Sequence, residues 1–82
     1  MGVPNPSKHK RTGSLVPLGA AIRRLRLAKG LSQEQLALRA DVDPGYVGRI
    51  ERGDNNAAIL TIQKLTRALG ISIAKLMQEA KL

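Results

Sequence analysis

The sequence lacks cysteine, contains one histidine, His9, and has Tyr46 as its single aromatic residue. Without cysteine, neither a disulfide framework nor a thiolate metal site can form, and one histidine cannot build a metal site or a catalytic triad. Proteins that bind single strands or RNA loops usually stack bases on several aromatic rings, so this composition disfavours them. We therefore expect no enzyme activity, no cofactor and no metal.

Long apolar runs and acidic residues are also scarce. No apolar run approaches the roughly 18 residues of a membrane span, and the N-terminus lacks the apolar stretch of a signal peptide, so we expect a cytoplasmic protein without membrane association. Six acidic residues against fourteen Lys and Arg give a formal net charge of +8, which suits a polyanionic partner. The length of 82 residues allows one domain with a small core.

The chain divides into two parts by composition. Residues 1–14 are rich in Pro, Gly and basic side chains and lack apolar periodicity, which predicts a disordered basic arm before a domain over 15–82. The basic cluster of this arm has two interpretations, a solubilising tail or an arm that contacts DNA phosphates. Its members are Lys8, Lys10 and Arg11.

Apolar spacing predicts five helices and no strand, and hence a compact all-α domain. The predicted helices span about 17–29, 33–40 and 44–51, then from near Ile59 to Gly70, and from Ser72 to about Ala80.

Residues 32–53 carry the most informative pattern, two short helices joined by a tight turn. Ser32 and Gln35 have the spacing of a capping box at the start of the first helix. Asp43 as cap and Pro44 at the first helical position open the second. A helix-turn-helix in a strongly basic chain predicts binding to double-stranded DNA.

Residues 18–72 resemble the phage repressor and Cro type of helix-turn-helix domain, the XRE family, through the words IRRLRLAKGLSQEQLA, IERG and LTIQKLTRALGIS. The resemblance implies a lambda-repressor-like fold whose third helix lies in the major groove. It also implies a sequence-specific transcriptional regulator that acts as a homodimer on a near-palindromic operator. Cro-like regulators and the controller proteins of restriction–modification systems are members of this size, and DPGYVGRIERG looks rather like the latter.

The helix over 44–51 supplies the candidates for base recognition. Arg49 has a guanidinium fork that fits the N7 and O6 acceptors of guanine, although a plain phosphate contact is the alternative. Pro44 offers apolar contact to a thymine methyl, and Tyr46 offers a hydroxyl to phosphate or sugar. On a helix that starts at Pro44, the outward face comprises Pro44, Gly45, Gly48 and Arg49.

Two aspartates near the turn need their own explanation. Asp43 is negative at a DNA-facing position, which a helix cap explains better than acceptance of a hydrogen bond from cytosine. Asp41 stands where the family prefers glycine, and aspartate tolerates the left-handed conformation at some cost in strain.

A second set of residues is assigned to the DNA backbone. Gln33 matches the phosphate-clamping Gln of the family, at a helix N-terminus where free amides attract anions, although it could be an ordinary solvent-facing residue. Ser32 is first a cap, but its amide could also reach phosphate. The candidate phosphate contacts are Ser32, Gln33, Tyr46, Arg52, Asn55 and Asn56.

Two further predictions concern a contact between helices of one copy and a contact between two copies. Arg26 and Glu51 match family positions that form an ion pair between helices 1 and 3, and the alternative is two separately solvated charges. A dimer surface is predicted at Ile71, Ile73 and Met77, whereas closure of the monomer core is the other interpretation.

An antitoxin is the second function class that we consider. Such a protein binds a toxin through one surface and its own promoter through another. A toxin gene beside this gene would favour it, whereas restriction and methyltransferase genes would favour a controller protein.

Overall fold

The computed structural model describes residues 15–54 and 58–82, and in this part the chain forms five α-helices and no strand. The all-α, five-helix prediction is confirmed. Each of these helices is too short or too polar to cross a membrane. The helices are α1 (Leu15–Ala28), α2 (Gln33–Ala40), α3 (Pro44–Glu51), α4 (Ile59–Leu69) and α5 (Ile73–Ala80).

Helix α1 is the one whose limits differ from the prediction. It begins at Leu15, two residues before the expected start, and ends at Ala28. Pro17 therefore lies at the third helical position and not at the first. Proline is tolerated there because the first amides of a helix have no intrahelical acceptor.

The start of α2 has the predicted capping box. The Ser32 hydroxyl accepts from the amide of Gln35 at 3.0 Å, and the Gln35 side-chain oxygen accepts from the amide of Ser32 at 2.8 Å. Two amides that would otherwise lack partners are satisfied together, so this helix start is well defined.

The start of α3 differs from the expectation. Asp43 occupies the N-cap position, but its side chain makes no capping hydrogen bond, so the interpretation of its carboxylate as the cap is wrong. The amide of Tyr46, which such a cap could bind, instead donates to the backbone carbonyl of Asp43 at 2.9 Å. Pro44 at the first helical position has no amide to satisfy.

The turn between α2 and α3 depends on Asp41. Its φ of 59° and ψ of 49° are left-handed, and its amide donates to the carbonyls of Ala37 and Leu38. The amide of Val42 also donates to Ala37, at 3.0 Å. These bonds close α2 abruptly and allow α3 to start only four residues after α2 ends.

A single core joins the five helices. Helix α3 packs against α1 and α2, α4 packs against α2, and α5 packs against α1 and α4. The largest fully buried side chains come from every helix and are Ile22, Leu36, Val47, Leu65, Leu69 and Leu76.

Helix α1 crosses the end of α3 at Gly19. A Cβ atom at this position would overlap the carbonyl oxygen of Ile50 and lie 2.7 Å from that of Glu51. Both neighbours are backbone atoms, so they cannot move aside as a flexible side chain could. Because Gly19 has no side chain, α1 can approach the end of α3 this closely.

We expect Gly19→Ala to lower the free energy of unfolding by about 3 kcal/mol, because overpacking here must displace backbone. Urea-induced unfolding followed by circular dichroism measures the change.

Gly45→Ala is the matched control. Gly45 is exposed and does not have a positive φ. Alanine should therefore raise the free energy of unfolding by about 0.5–1 kcal/mol. Equal effects of the two substitutions would contradict the close approach at Gly19.

Candidate nucleic-acid interface

Helix α3 presents two distinct faces. Val47 and Ile50 point inward and are buried in the core, whereas Pro44, Gly45 and Arg49 are exposed. The exposed residues belong to the predicted base-recognition set. The N-terminal turn and one further turn of α3 are therefore accessible to a groove.

Gly48 does not belong to this exposed face. It is buried, and a Cβ atom there would meet the side-chain oxygen of Gln33 at 3.3 Å and Nη1 of Arg52 at 3.4 Å. The prediction that Gly48 belongs to the exposed outward face is wrong, because two long side chains lie over this position. Its contribution is space for Gln33 and Arg52.

Tyr46 and Arg49 lie next to each other on α3. The guanidinium carbon of Arg49 is 5.7 Å from the centroid of the Tyr46 ring, within cation–π range. Tyr46 is half-buried and packs against the core, whereas Arg49 is exposed. Residues three apart share a helix face, so the sequence contained the signal for this contact.

A buried ion pair attaches the end of α3 to α1. Arg26 Nε donates to Glu51 Oε2 at 2.6 Å and Arg26 Nη2 donates to Oε1 at 3.0 Å. The two side chains are 8% and 2% exposed. Arg26 Nη1 also donates to the carbonyl of Leu31 at 2.7 Å, which joins the segment before α2 to the pair. This bidentate geometry is the strong form of an arginine–carboxylate contact.

Gln33 extends the same network to α2. Its side-chain amide donates to Glu51 Oε1 at 3.0 Å, while the residue as a whole remains exposed. The carboxylate of Glu51 thus receives hydrogen bonds from α1 and from α2. The first turn of α2 is held beside α3 by this bond, which sequence reasoning did not anticipate.

Of the remaining candidate phosphate contacts, the structure describes Ser32 and Arg52. Ser32 is exposed and its hydroxyl serves the capping box. Arg52 follows α3 directly, is exposed, and its Nε donates to Asp54 Oδ2 at 3.0 Å. Other candidates from the sequence lie outside the described residues, namely Lys8, Lys10, Arg11, Asn55 and Asn56.

The predicted dimer surface is half-buried. Ile71 and Ile73 pack against the core and remain partly exposed. Met77 is also partly exposed. Leu76 is fully buried, as expected for a residue that docks α5 on the domain. The side chains of α5 therefore contribute to the core and still leave apolar surface beside it.

We expect Glu51→Gln to lower the free energy of unfolding by about 3 kcal/mol, because Arg26 would remain buried without its counter-charge. Urea titration of the purified variant measures the loss.

Glu79→Gln is the control with the same chemical change. Glu79 lies 3.7 Å from Lys75 in an exposed pair on α5, so its loss should cost less than about 1 kcal/mol. A similarly small loss at Glu51 would contradict a stabilising role for the buried pair.

Comparisons with known proteins identify a helix-turn-helix in the same part of the chain. The helix-turn-helix family model matches residues 22–76. The control protein C.BamHI of Bacillus amyloliquefaciens is 41% identical over 54 residues, which are 65% of this chain and 67% of that protein.

Solved structures give the same result. The restriction-modification controller protein C.AhdI of Aeromonas hydrophila is 48% identical, with a TM-score of 0.74 over 76% of this chain and 94% of that chain. C.Esp1396I bound to a 19 base pair DNA duplex is 27% identical, with a TM-score of 0.79 over 85% of this chain and 93% of that chain. The resemblance to phage repressor and Cro-type domains is confirmed, and the chain belongs to the helix-turn-helix family.

Proposed function

We propose that this protein is a sequence-specific, double-stranded DNA-binding transcriptional regulator of the controller type, with α3 in the major groove. The observation that carries the proposal is the exposed Arg49 on α3, a helix held against α1 and α2 through Glu51. The net charge of +8 supports a polyanionic ligand. The similarity to C.Esp1396I, which was solved on a DNA duplex, supports the same ligand.

The phosphate backbone would be bound at the N-terminus of α2. Free amides and the positive end of the helix dipole favour an anion there. The Gln33 amide group has two hydrogens, and its bond to Glu51 uses one of them. The other is a donor of the right kind for a phosphate oxygen, so a single side chain connects the ion pair to the DNA backbone.

A homodimer gives the specificity that one short helix lacks. Each helix-turn-helix contacts only a few base pairs, and two half-sites about 34 Å apart restore a longer operator. The apolar surface left by Ile71, Ile73 and Met77 is the proposed contact with the second copy. Operator binding would keep the protein with the nucleoid, in the cytoplasm.

Binding without catalysis is the function class that fits best. The candidate residues that the structure describes include exposed donors at Gln33, Arg49 and Arg52, which supports binding of a polyanion. The antitoxin hypothesis gains no support from the relatives described above, which are controller proteins.

Footprinting of the purified protein on its own upstream DNA tests the proposal, and a protected near-palindromic site is the expected result.

We expect Arg49→Ala to weaken binding to the best operator by about 1–3 kcal/mol and to relax preference at one base pair, because a guanine contact is lost. Fluorescence anisotropy with the operator, its single-base variants and a random duplex measures both effects.

Arg52→Ala is the control for charge. As a phosphate contact, Arg52 should contribute similarly to operator and random DNA, so its loss leaves the specificity ratio unchanged. If Arg49→Ala also weakened both duplexes equally, base recognition by Arg49 would be excluded.

Replacing both Ile73 and Met77 with Lys should give a folded monomer with weakened operator binding, because two charges would enter the apolar contact between copies. Analytical ultracentrifugation measures the association and circular dichroism measures the helix content.

The matched control places two lysines at Ala74 and Gln78, which are exposed and have the same spacing on α5. It should remain dimeric. Loss of helix content in the Ile73 and Met77 variant alone would move these residues from the dimer surface into the monomer core.

A further inference from the structure

The Tyr46 ring and the Arg49 guanidinium form a pair in which only one member is anchored. The ring is half-buried against the core, so its position follows from the packing of α3. The guanidinium carbon lies 5.7 Å from the ring centroid on the exposed side. A cation at this distance is attracted to the ring face. A ring packed against the core therefore favours one placement of the exposed arginine beside it.

Arg49 lies beside Gly45 at ordinary contact distance. A Cβ atom at Gly45 would be 3.5 Å from Arg49 Nη1 and 3.6 Å from Asp43 Oδ2. The guanidinium thus extends back over the first turn of α3, toward the carboxylate at the helix start. That carboxylate makes no capping hydrogen bond, and its negative charge favours the same arginine orientation.

We propose that Tyr46 is a specificity-determining positioning residue, whose ring orients Arg49 for guanine before DNA binds. An unrestrained arginine loses much of its rotamer freedom when it forms a bidentate contact, and a ring platform reduces that loss. The hypothesis rests on the proposed function, since it requires α3 to contact bases. It assigns the role of Tyr46 to the ring face and not to a hydroxyl contact with phosphate.

Two substitutions separate the ring from the hydroxyl. Tyr46→Phe removes the hydroxyl and retains the ring, so the ratio of operator affinity to random-duplex affinity should stay within about twofold. Tyr46→Leu retains an apolar side chain for the core and removes the ring. We expect it to lower operator affinity by about 2- to 30-fold, the range of cation–π contributions, with little change on random DNA.

A double-mutant cycle tests whether the ring acts through Arg49. Anisotropy titrations at one salt concentration compare the wild type, Tyr46→Leu, Arg49→Ala and the double variant on operator and random duplexes. In the Arg49→Ala background, Tyr46→Leu should have no further effect. An undiminished effect of Tyr46→Leu in that background would overturn the proposal, and so would an equal loss with Tyr46→Phe.

A measurement on the free protein keeps the test independent of DNA binding. In the wild type and in Tyr46→Phe, the ring current should shift the NMR resonances of the Arg49 side chain, and Tyr46→Leu should abolish the shift. Absence of a ring-dependent shift in the folded wild type overturns the positioning role, whatever the DNA affinity. Failure of the wild type to prefer any upstream duplex, with the shift present, overturns the proposed function instead.

Discussion

The buried contact between Arg26 and Glu51 is the interaction on which the rest of the structure depends. It connects α1 to the last residue of α3. Arg26 also donates to the carbonyl of Leu31, and Glu51 also accepts from the side-chain amide of Gln33. A buried charge without its partner is costly, so the helices are strongly constrained to the arrangement in which both charges are satisfied. Together with the packing of the core, this constraint sets the orientation of α3.

Helix α3 has only eight residues and contains Gly45 and Gly48, so its intrinsic helix propensity is low. Neighbouring helices supply the stability that the segment lacks, through burial of Val47 and Ile50. Long side chains lie along the helix at these glycines, Gln33 and Arg52 close over Gly48 and Arg49 beside Gly45. A helix of low intrinsic propensity that is stabilised by its neighbours therefore keeps its exposed side available for DNA.

Local signals account for what was predicted correctly. The capping box of Ser32 and Gln35, the proline at position 44 and the apolar spacing each act within a few residues, and four of the five helices have the expected limits. The resemblance to helix-turn-helix regulators supplied the partner of Arg26, which lies 25 residues away along the chain. Composition and spacing alone had left those two charges open to separate solvation.

The sequence by itself determined the helices, the position of the turn and the basic character of the chain, because caps, periodicity and charge are properties of neighbouring residues. Only the tertiary structure decided that Gly48 is buried, that Gln33 binds Glu51, and that the Asp43 carboxylate does not cap α3. The missing cap goes with the local bond from the amide of Tyr46 to the carbonyl of Asp43, whereas the burial of Gly48 and the bond of Gln33 depend on which helix lies across which face. That arrangement is set by packing and buried hydrogen bonds between distant segments, which no local pattern encodes.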